Sequence, residues 1–255
     1  SELVCVACVP ERPVACNENP GKISDMFKAL FKNDQAMTVV VSIILVYTSI
    51  NICGNLVLYF FRFDVGNEGA YSIFAAVAFA AQVLVMMVIP LLRKRFSKSC
   101  LFISGFIIQI VGFAVILIMA FAKLYTPQSW YILCMPGILI YLGYGMLNVI
   151  MTIFLSDSVD YGEVMNGTRE ESVIFSMQTF TVKLASGVAV FLAGLIVDWI
   201  HLDTSATVQT QDTLDALRMW MTIPSVILLI VGIFVFKRFY KLDDARMEEI
   251  KSKLN

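Results

Sequence analysis

Six long apolar segments constrain this sequence more than any other feature. They cover residues 36–61, 70–92, 100–122, 130–155, 172–200 and 217–236. About 20 apolar residues are enough for a helix to cross a bilayer, where the helix must satisfy its own backbone polar groups. Apolar residues make up 58% of the 255 positions, which exceeds the share typical of a soluble domain. The sequence therefore predicts an all-α integral membrane protein with six transmembrane helices.

The positions of Lys and Arg predict the orientation of these helices. Of the 19 Lys and Arg residues, fifteen lie on the same side as residues 1–35. Three lie on the opposite side: Arg62, Lys123 and Arg218. The remaining one, Lys183, lies within a predicted helix. Because cytoplasmic loops carry the excess of Lys and Arg, we predict that both termini are cytoplasmic. Aromatic belts form at membrane interfaces, and the predicted external helix ends carry Trp130, Trp199 and Trp220.

Amphipathic segments flank the six predicted helices. Residues 23–35 are predicted to form an interfacial helix with an apolar face, which consists of Met26, Phe27, Leu30 and Phe31. In the predicted cytoplasmic tail, residues 237–255, helical spacing relates Asp243, Met247, Ile250 and Leu254. Either segment could lie on the membrane surface or cover the cytoplasmic end of the bundle. A solvated tail is an equal alternative for the last ten residues.

The composition argues against several other classes of protein. A net charge of −1 gives no basic surface for nucleic acid. His201 is the only His, which disfavours a histidine-based enzyme or metal site. Cys5 and Cys8 have the spacing of a metal or redox motif, but only Cys16 is near them, so they cannot form a four-ligand site locally. We therefore expect no enzyme activity, metal or other cofactor.

Polar side chains form stripes along three of the predicted helices. The stripes consist of Tyr47, Asn51 and Asn55, then Tyr141, Gly145, Asn148, Thr152 and Ser156, and finally Ser172, Ser176, Thr179, Lys183 and Ser186, with Gln178 beside the last. Polar groups in a bilayer are costly and normally face a protein interior or a water-filled cavity. The stripes predict a shared hydrophilic cavity. The alternative is that these side chains only hold the helices together.

Lys183 is the one cation that the sequence places near the middle of a predicted helix. An unpaired Lys there costs about 2.5–3.5 kcal/mol, and no predicted helix has an Asp or Glu in its interior. We predict that its carboxylate partner lies on another segment of the polypeptide. The alternative is a Lys that is neutral or hydrated.

The predicted connection between the fourth and fifth helices is rich in charge. Asp157 and Asp160 are three residues apart, so one helical turn would place them on a common face. Together with Arg169 they could form ion pairs that close a cavity. The alternative is a solvated loop.

Three motifs in this region resemble the glycoside–pentoside–hexuronide:cation symporters of the major facilitator superfamily. They are Asp157-Ser-Val-Asp-Tyr-Gly-Glu163, Gly167-Thr-Arg169 and Ser176-Met-Gln-Thr-Phe-Thr-Val-Lys183. Members have two six-helix halves, and the resemblance implies that this chain is the C-terminal half. Residues 1–22 would then hold the end of a preceding helix and the cytoplasmic central loop. It also implies a bacterial cytoplasmic (inner) membrane.

The resemblance implies roles for the polar residues. Gln178 and Thr179 match residues that line the sugar cavity, and Lys183 matches a Lys near acidic residues of the N-terminal half. Asn148 stands where one member stacks a Trp on its sugar. The substrate-binding set is completed by Asn51 and Thr152, which face the predicted cavity. Charges associated with the cytoplasmic gate correspond to Asp157, Asp160 and Arg169.

The implied function is symport of a sugar or glycoside with Na⁺ or H⁺, with the cation bound mainly on the N-terminal half. The expected partners are the sugar, membrane lipid and that half. A lysolipid facilitator is one alternative, although the polar stripes disfavour it. A noncatalytic assembly or sensor module is another.

Overall fold

A computed structural model describes residues 33–166, 171–206, 208–242 and 244–254. Its helices are α1 (Asp34–Tyr59), α2 (Ala70–Leu92), α3 (Lys98–Phe121), α4 (Cys134–Asn166), α5 (Glu171–Trp199), α6 (Gln211–Phe239) and α7 (Asp244–Leu254). A π-helical turn, Phe60–Asp64, extends α1, and a 3₁₀ turn, Trp130–Leu133, precedes α4. Within the described residues, α1 to α6 are long and apolar enough to cross a membrane, as predicted. Residues 1–22 and most of the predicted interfacial helix, 23–35, lie outside the described residues.

Three of the long helices begin at polar side chains that cap their first turn. The Asn33 side chain accepts a hydrogen bond from the Ala36 backbone N–H at 3.0 Å. Ser97 and Thr210 cap α3 and α6 in the same way. The first N–H groups of a helix have no partner within it, so a capping oxygen stabilises the helix at that point.

The two ends of the bundle differ in character. The basic end, as we call it, holds Asn33, Lys98, Asn166, Glu171 and Phe239. The opposite end, here the tryptophan end, holds the three Trp residues, and the rings of Trp199 and Trp220 lie 5.8 Å apart. Clustering of Trp at one end fits the predicted aromatic belt.

Helix α1 lies at the centre of the bundle and packs against α4, α5 and α6. Helix α3 packs against α4 and α6, and α2 packs against α4. Glycines bring α3 and α4 close together, because a Cβ at Gly143 would lie 2.6 Å from the Gly105 carbonyl oxygen. Small residues commonly permit such close approach between transmembrane helices.

Helix α4 continues well past its predicted end at residue 155, so the interpretation of Asp157–Glu163 as part of a connection is wrong. The segment stays helical because its polar groups have partners. The Ser158 hydroxyl donates to the Phe154 carbonyl at 2.8 Å, and the Asn33 amide donates to the Ser158 carbonyl at 2.8 Å. Asp157 is paired with Lys98. Arg169 lies outside the described residues.

The C-terminal helix α7 covers the basic end of the bundle. Its Met247 and Ile250, together with Leu242, form a small apolar cluster against Tyr161 of α4 and Tyr240. Of the alternatives that the sequence left open, the structure supports a helix that packs on the bundle.

A buried cluster of charge joins the helices at the tryptophan end. Arg218 of α6 donates from Nε and Nη2 to the two Asp64 carboxylate oxygens, at 2.9 and 2.5 Å, and both side chains are only 3% exposed. Arg218 also contacts Asp215, and the Tyr125 hydroxyl donates to Asp64. Burial, followed by this hydrogen bond, raises the pKa of Tyr125. The π-helical turn places Asp64 in this cluster, three residues beyond the predicted end of the helix.

The close contact between α3 and α4 gives a test of the packing. Gly143→Ala should lower the thermal stability of the detergent-purified protein, because overpacking costs about 1–3 kcal/mol. Gly54→Ala is the matched control, since a Cβ there would meet nothing within 4 Å and Ala is the better helix former. Equal melting temperatures for the two variants would contradict the packing described here.

Candidate functional site

The three predicted polar stripes lie on α1, α4 and α5, and hydrogen bonds connect them. The Asn148 amide of α4 donates to the Tyr47 hydroxyl of α1 at 2.6 Å. The Gln178 amide of α5 donates to the Thr152 hydroxyl of α4 at 3.5 Å. We call the connected surface the polar face, which comprises Tyr47, Asn51, Asn148, Thr152, Gln178, Thr179 and Lys183.

Helix α5 has one buried side and two different exposed sides. The buried side packs on α1 and consists of small and apolar residues: Ile174, Thr181, Ala185, Ala189, Ala193 and Ile196. One exposed side carries large apolar side chains, namely Phe180, Leu184, Phe191 and Leu195. The other carries Ser172, Ser176, Thr179 and Lys183. At 3.6 residues per turn these exposed sides flank the buried one, so the polar residues of α5 do not share its apolar, lipid-like surface.

Lys183 is exposed on the polar side of α5. Among the described residues no carboxylate lies within ion-pair distance of its ammonium group. The two buried carboxylates that α1 and α4 carry near their ends, Asp64 and Asp157, are paired with Arg218 and Lys98 instead. That the partner of Lys183 lies on another segment stays a prediction.

Asn148 has a partner that the sequence did not predict. Its amide group donates to the Tyr47 hydroxyl. The Tyr47 and Tyr144 rings meet edge to face, 5.6 Å apart. Asn148 therefore holds Tyr47, which in turn packs against Tyr144 on the polar face. Sequence reasoning missed Tyr144, although it lies one helical turn from Asn148.

Asp157, a predicted gate residue, belongs to an ion-pair network at the basic end. The Lys98 ammonium lies 2.5 Å from Asp157 and 3.4 Å from Asp244 of α7, and Arg93 lies 3.7 Å from Asp244. Burial, followed by the two carboxylates, raises the pKa of the nearby Tyr240. The network joins α2, α3, α4 and α7 within this chain.

Two further residues lie near Asp157 at the basic end: Asp160, which belongs to the predicted gate, and Lys98, which does not. Asp160 is half-buried on α4 and has interactions of its own. In the sequence analysis Lys98 contributed only to the predicted orientation, and its pairing with Asp157 was not predicted. A buried cation in the first turn of α3 opposes the helix dipole, which is a signal that it needs an anionic partner.

Two cavities open beside α1 towards the tryptophan end. The first, about 230 Å³, lies between α1 and α4 and is lined by Ile50, Asn51, Gly54, Asn55, Tyr141 and Tyr144. The second, about 360 Å³, lies between α1 and α5 and also includes Asn55. Both continue the polar face in the direction of that end.

A six-helix membrane bundle with a polar face and a separate apolar surface is the architecture of a transport protein domain. Residues 5–244 match the family described as MFS/sugar transport protein. The chain belongs to this family, which confirms the resemblance that its motifs indicated.

Individual relatives agree with this assignment. The chain is 25% identical over 233 residues to the uncharacterized symporter YjmB of Bacillus subtilis, covering 91% of the chain and 49% of the relative. It is 24% identical to the raffinose carrier protein of Pediococcus pentosaceus, covering 91% and 35%, and 25% identical to the isoprimeverose transporter of Lactiplantibacillus pentosus, covering 87% and 44%. The chain thus spans about a third to a half of the length of these relatives.

The buried Lys98–Asp157 pair should contribute strongly to stability. Its side chains are 5% and 7% exposed, and removal of one partner leaves the other charge uncompensated. Lys98→Met should therefore lower the free energy of unfolding by about 3–5 kcal/mol, measured as a fall in melting temperature in detergent.

Arg62→Ala is the control for this substitution, because Arg62 and Glu68 form an exposed pair at 3.7 Å. Exposed pairs contribute about 0–1 kcal/mol, so this variant should melt close to wild type. Similar melting temperatures for Lys98→Met and Arg62→Ala would show that the Lys98–Asp157 pair does not hold the helices together.

Proposed function

We propose that this chain forms one half, the C-terminal half, of a secondary transporter that carries a sugar or glycoside together with Na⁺ or H⁺. The observation that carries the proposal is the polar face of α1, α4 and α5, which lies apart from the apolar side of α5. It includes Lys183, which has no carboxylate partner among the residues that the structure describes. In transporters built from repeated halves, the substrate binds near the bilayer midplane between the halves. The polar face would then form one wall of that site.

The names of the relatives support a sugar as the substrate. A raffinose carrier, an isoprimeverose transporter and lactose permeases are all among them. The chain matches only part of each relative, so transport by the complete protein is part of the proposal. A polyhydroxylated substrate also fits a wall that carries amide and hydroxyl groups.

The polar residues would share the work of substrate binding. Gln178 and Thr179 of α5 and Thr152 of α4 would form hydrogen bonds with sugar hydroxyls. Asn51 would present its amide oxygen, and Asn148 would hold Tyr47 in position as well as contact the sugar. Lys183 would pair with carboxylates of the second half, on which the coupling cation would mainly bind. This pairing would link occupancy of the cation site to the sugar site.

The basic end would face the cytoplasm of a bacterial cell, with the protein in its inner membrane and both termini on the cytoplasmic side. The positive-inside rule supports this orientation. Asp157, Asp160 and Arg169 would act at the cytoplasmic gate, and Lys98 would hold Asp157 in place there.

Membrane lipid is a proposed partner as well. A third cavity, about 190 Å³ and lined only by apolar side chains, includes Leu192, Trp199, Trp220 and Pro224. It lies on the apolar side of α5 and α6, where an acyl chain would fit. Its separation from the polar face favours an annular lipid over a lysolipid substrate.

Lys183 gives the direct test of the proposed coupling. Lys183→Ala in the full-length protein should abolish or strongly reduce cation-driven sugar uptake into proteoliposomes, because the carboxylates of the second half would lose their partner. Lys183→Arg should restore only part of it, since a planar guanidinium differs from a compact ammonium.

The matched control is Lys237→Ala, which removes an exposed cation at the basic end. This variant should accumulate sugar at the wild-type rate. Wild-type accumulation by Lys183→Ala at equal expression would exclude the coupling role.

The proposed orientation has its own test. Asp212 and Arg238 lie at opposite ends of α6. Each is replaced by a single cysteine in a protein from which the other reactive cysteines have been removed. A membrane-impermeant thiol reagent should label position 212 in intact cells and position 238 only in inverted vesicles. The reverse pattern would place the basic end outside.

A further inference from the structure

Gly54 differs from most glycines of the bundle. A Cβ would lie within 3.0 Å of a neighbouring helix at several of them: Gly105, Gly112, Gly143, Gly145 and Gly232. These positions need glycine for close packing. A Cβ at Gly54 would meet nothing within 4 Å. Glycine inside a helix is destabilising relative to Ala, so its presence in the middle of α1 has no explanation in the packing of the described residues.

Gly54 instead lines the cavity of about 230 Å³ between α1 and α4. Any larger side chain at this position would project into that space. The absence of a side chain therefore keeps the cavity open, with Asn51 and Asn55 of α1 on one side and Tyr141 and Tyr144 of α4 on the other.

The orientation of the two amides determines what the cavity can bind. Asn51 donates from its amide nitrogen to the Tyr47 carbonyl, and Asn55 donates to the Asn51 carbonyl, both at 2.7 Å. Because only the NH₂ group can donate to a carbonyl, each amide oxygen is left as an acceptor beside the cavity. Two acceptors next to tyrosine rings suit a ligand with several hydroxyl donors and a flat apolar face. A sugar ring has both.

The cavity lies beyond Thr152, Gln178 and Thr179, which are proposed to bind the first sugar unit, and Asn51 of the proposed binding set lines the cavity itself. Tyr141 precedes Thr152 by eleven residues on α4, which corresponds to about 16 Å along the helix axis. A single sugar ring that contacts Thr152 and Gln178 would not extend to it. Between the two regions lie Asn148 and Tyr47, which are hydrogen-bonded to each other, and Tyr144, whose ring packs against that of Tyr47.

We propose that this cavity is an outer subsite that binds a further sugar unit of a di- or trisaccharide. The subsite rests on the proposed sugar transport function and adds to it a determinant of saccharide length. Gly54 provides the space, and Asn51 and Asn55 accept hydrogen bonds from the hydroxyl groups of that unit.

The test measures binding of galactose, lactose, raffinose and isoprimeverose to the purified full-length transporter. Gly54→Leu should weaken binding of the larger saccharides by about tenfold or more, because its side chain fills the subsite, and leave galactose unchanged. Gly54→Ala is the size control and should have little effect. Asn55→Leu, which removes one hydrogen bond, should weaken the larger saccharides by about fivefold.

Thr222→Val controls for loss of a side-chain bond to the helix backbone, because Thr222 donates to the Arg218 carbonyl at 2.8 Å on α6 and does not line the cavity. It should leave all four affinities unchanged.

Three results would overturn the subsite. One is unchanged affinities in Gly54→Leu and Asn55→Leu. Another is an equal loss for galactose and the larger saccharides, which would indicate that Gly54 allows a helix of the second half to approach. A wild-type protein that binds galactose alone is the third. If wild type binds none of the four, the proposed sugar transport fails first, and the subsite fails with it.

Discussion

The lack of water in the bilayer core is the constraint on which the rest of this structure depends. Backbone groups there must be paired within helices, and a charge must be paired or face a polar space. The chain meets the second requirement with two buried ion pairs, Arg218–Asp64 at the tryptophan end and Lys98–Asp157 at the basic end. The first pair joins α6 to the extension of α1, and the second joins α3 to α4, so ion pairs connect helices at both ends of the bundle. Lys183, between them, has no such partner in the described part of the chain.

This distribution of charge suits the proposed role of the chain as one half of a transporter that moves as a single body. Close glycine contacts join α3 to α4, and the ion pairs fix the helix ends. The surface formed by α1, α4 and α5 instead offers amide, hydroxyl and ammonium groups and cavities beside α1. Alternating access between two halves requires that each half moves as a rigid body and presents a polar face to the other.

Much of the fold could be predicted from the sequence, because long apolar segments are a local property. The end of α4 could not, because the apolar run stops at residue 155 while the helix continues through the buried Asp157 and Ser158, whose partners Lys98 and Asn33 are distant in sequence. The surroundings of Asn148 and Gly54 could not be predicted either. A polar stripe in the sequence does not show that the Asn148 amide is hydrogen-bonded to Tyr47. The sequence also does not show that Gly143 is closely packed against a neighbouring helix whereas Gly54 is not. The roles of the predicted binding and gate residues stay predictions.

The central claim is that one exposed side of α5 lines an aqueous sugar pathway and the other faces lipid. Its most direct test is the reactivity of single cysteines in the full-length transporter towards a charged, water-soluble thiol reagent. Cysteines that replace Thr179 and Lys183 should react readily, whereas cysteines that replace Phe180 and Leu184, on the same helix at nearly the same depth, should not. Equal reactivity at the four positions, or reaction only at 180 and 184, would contradict the account.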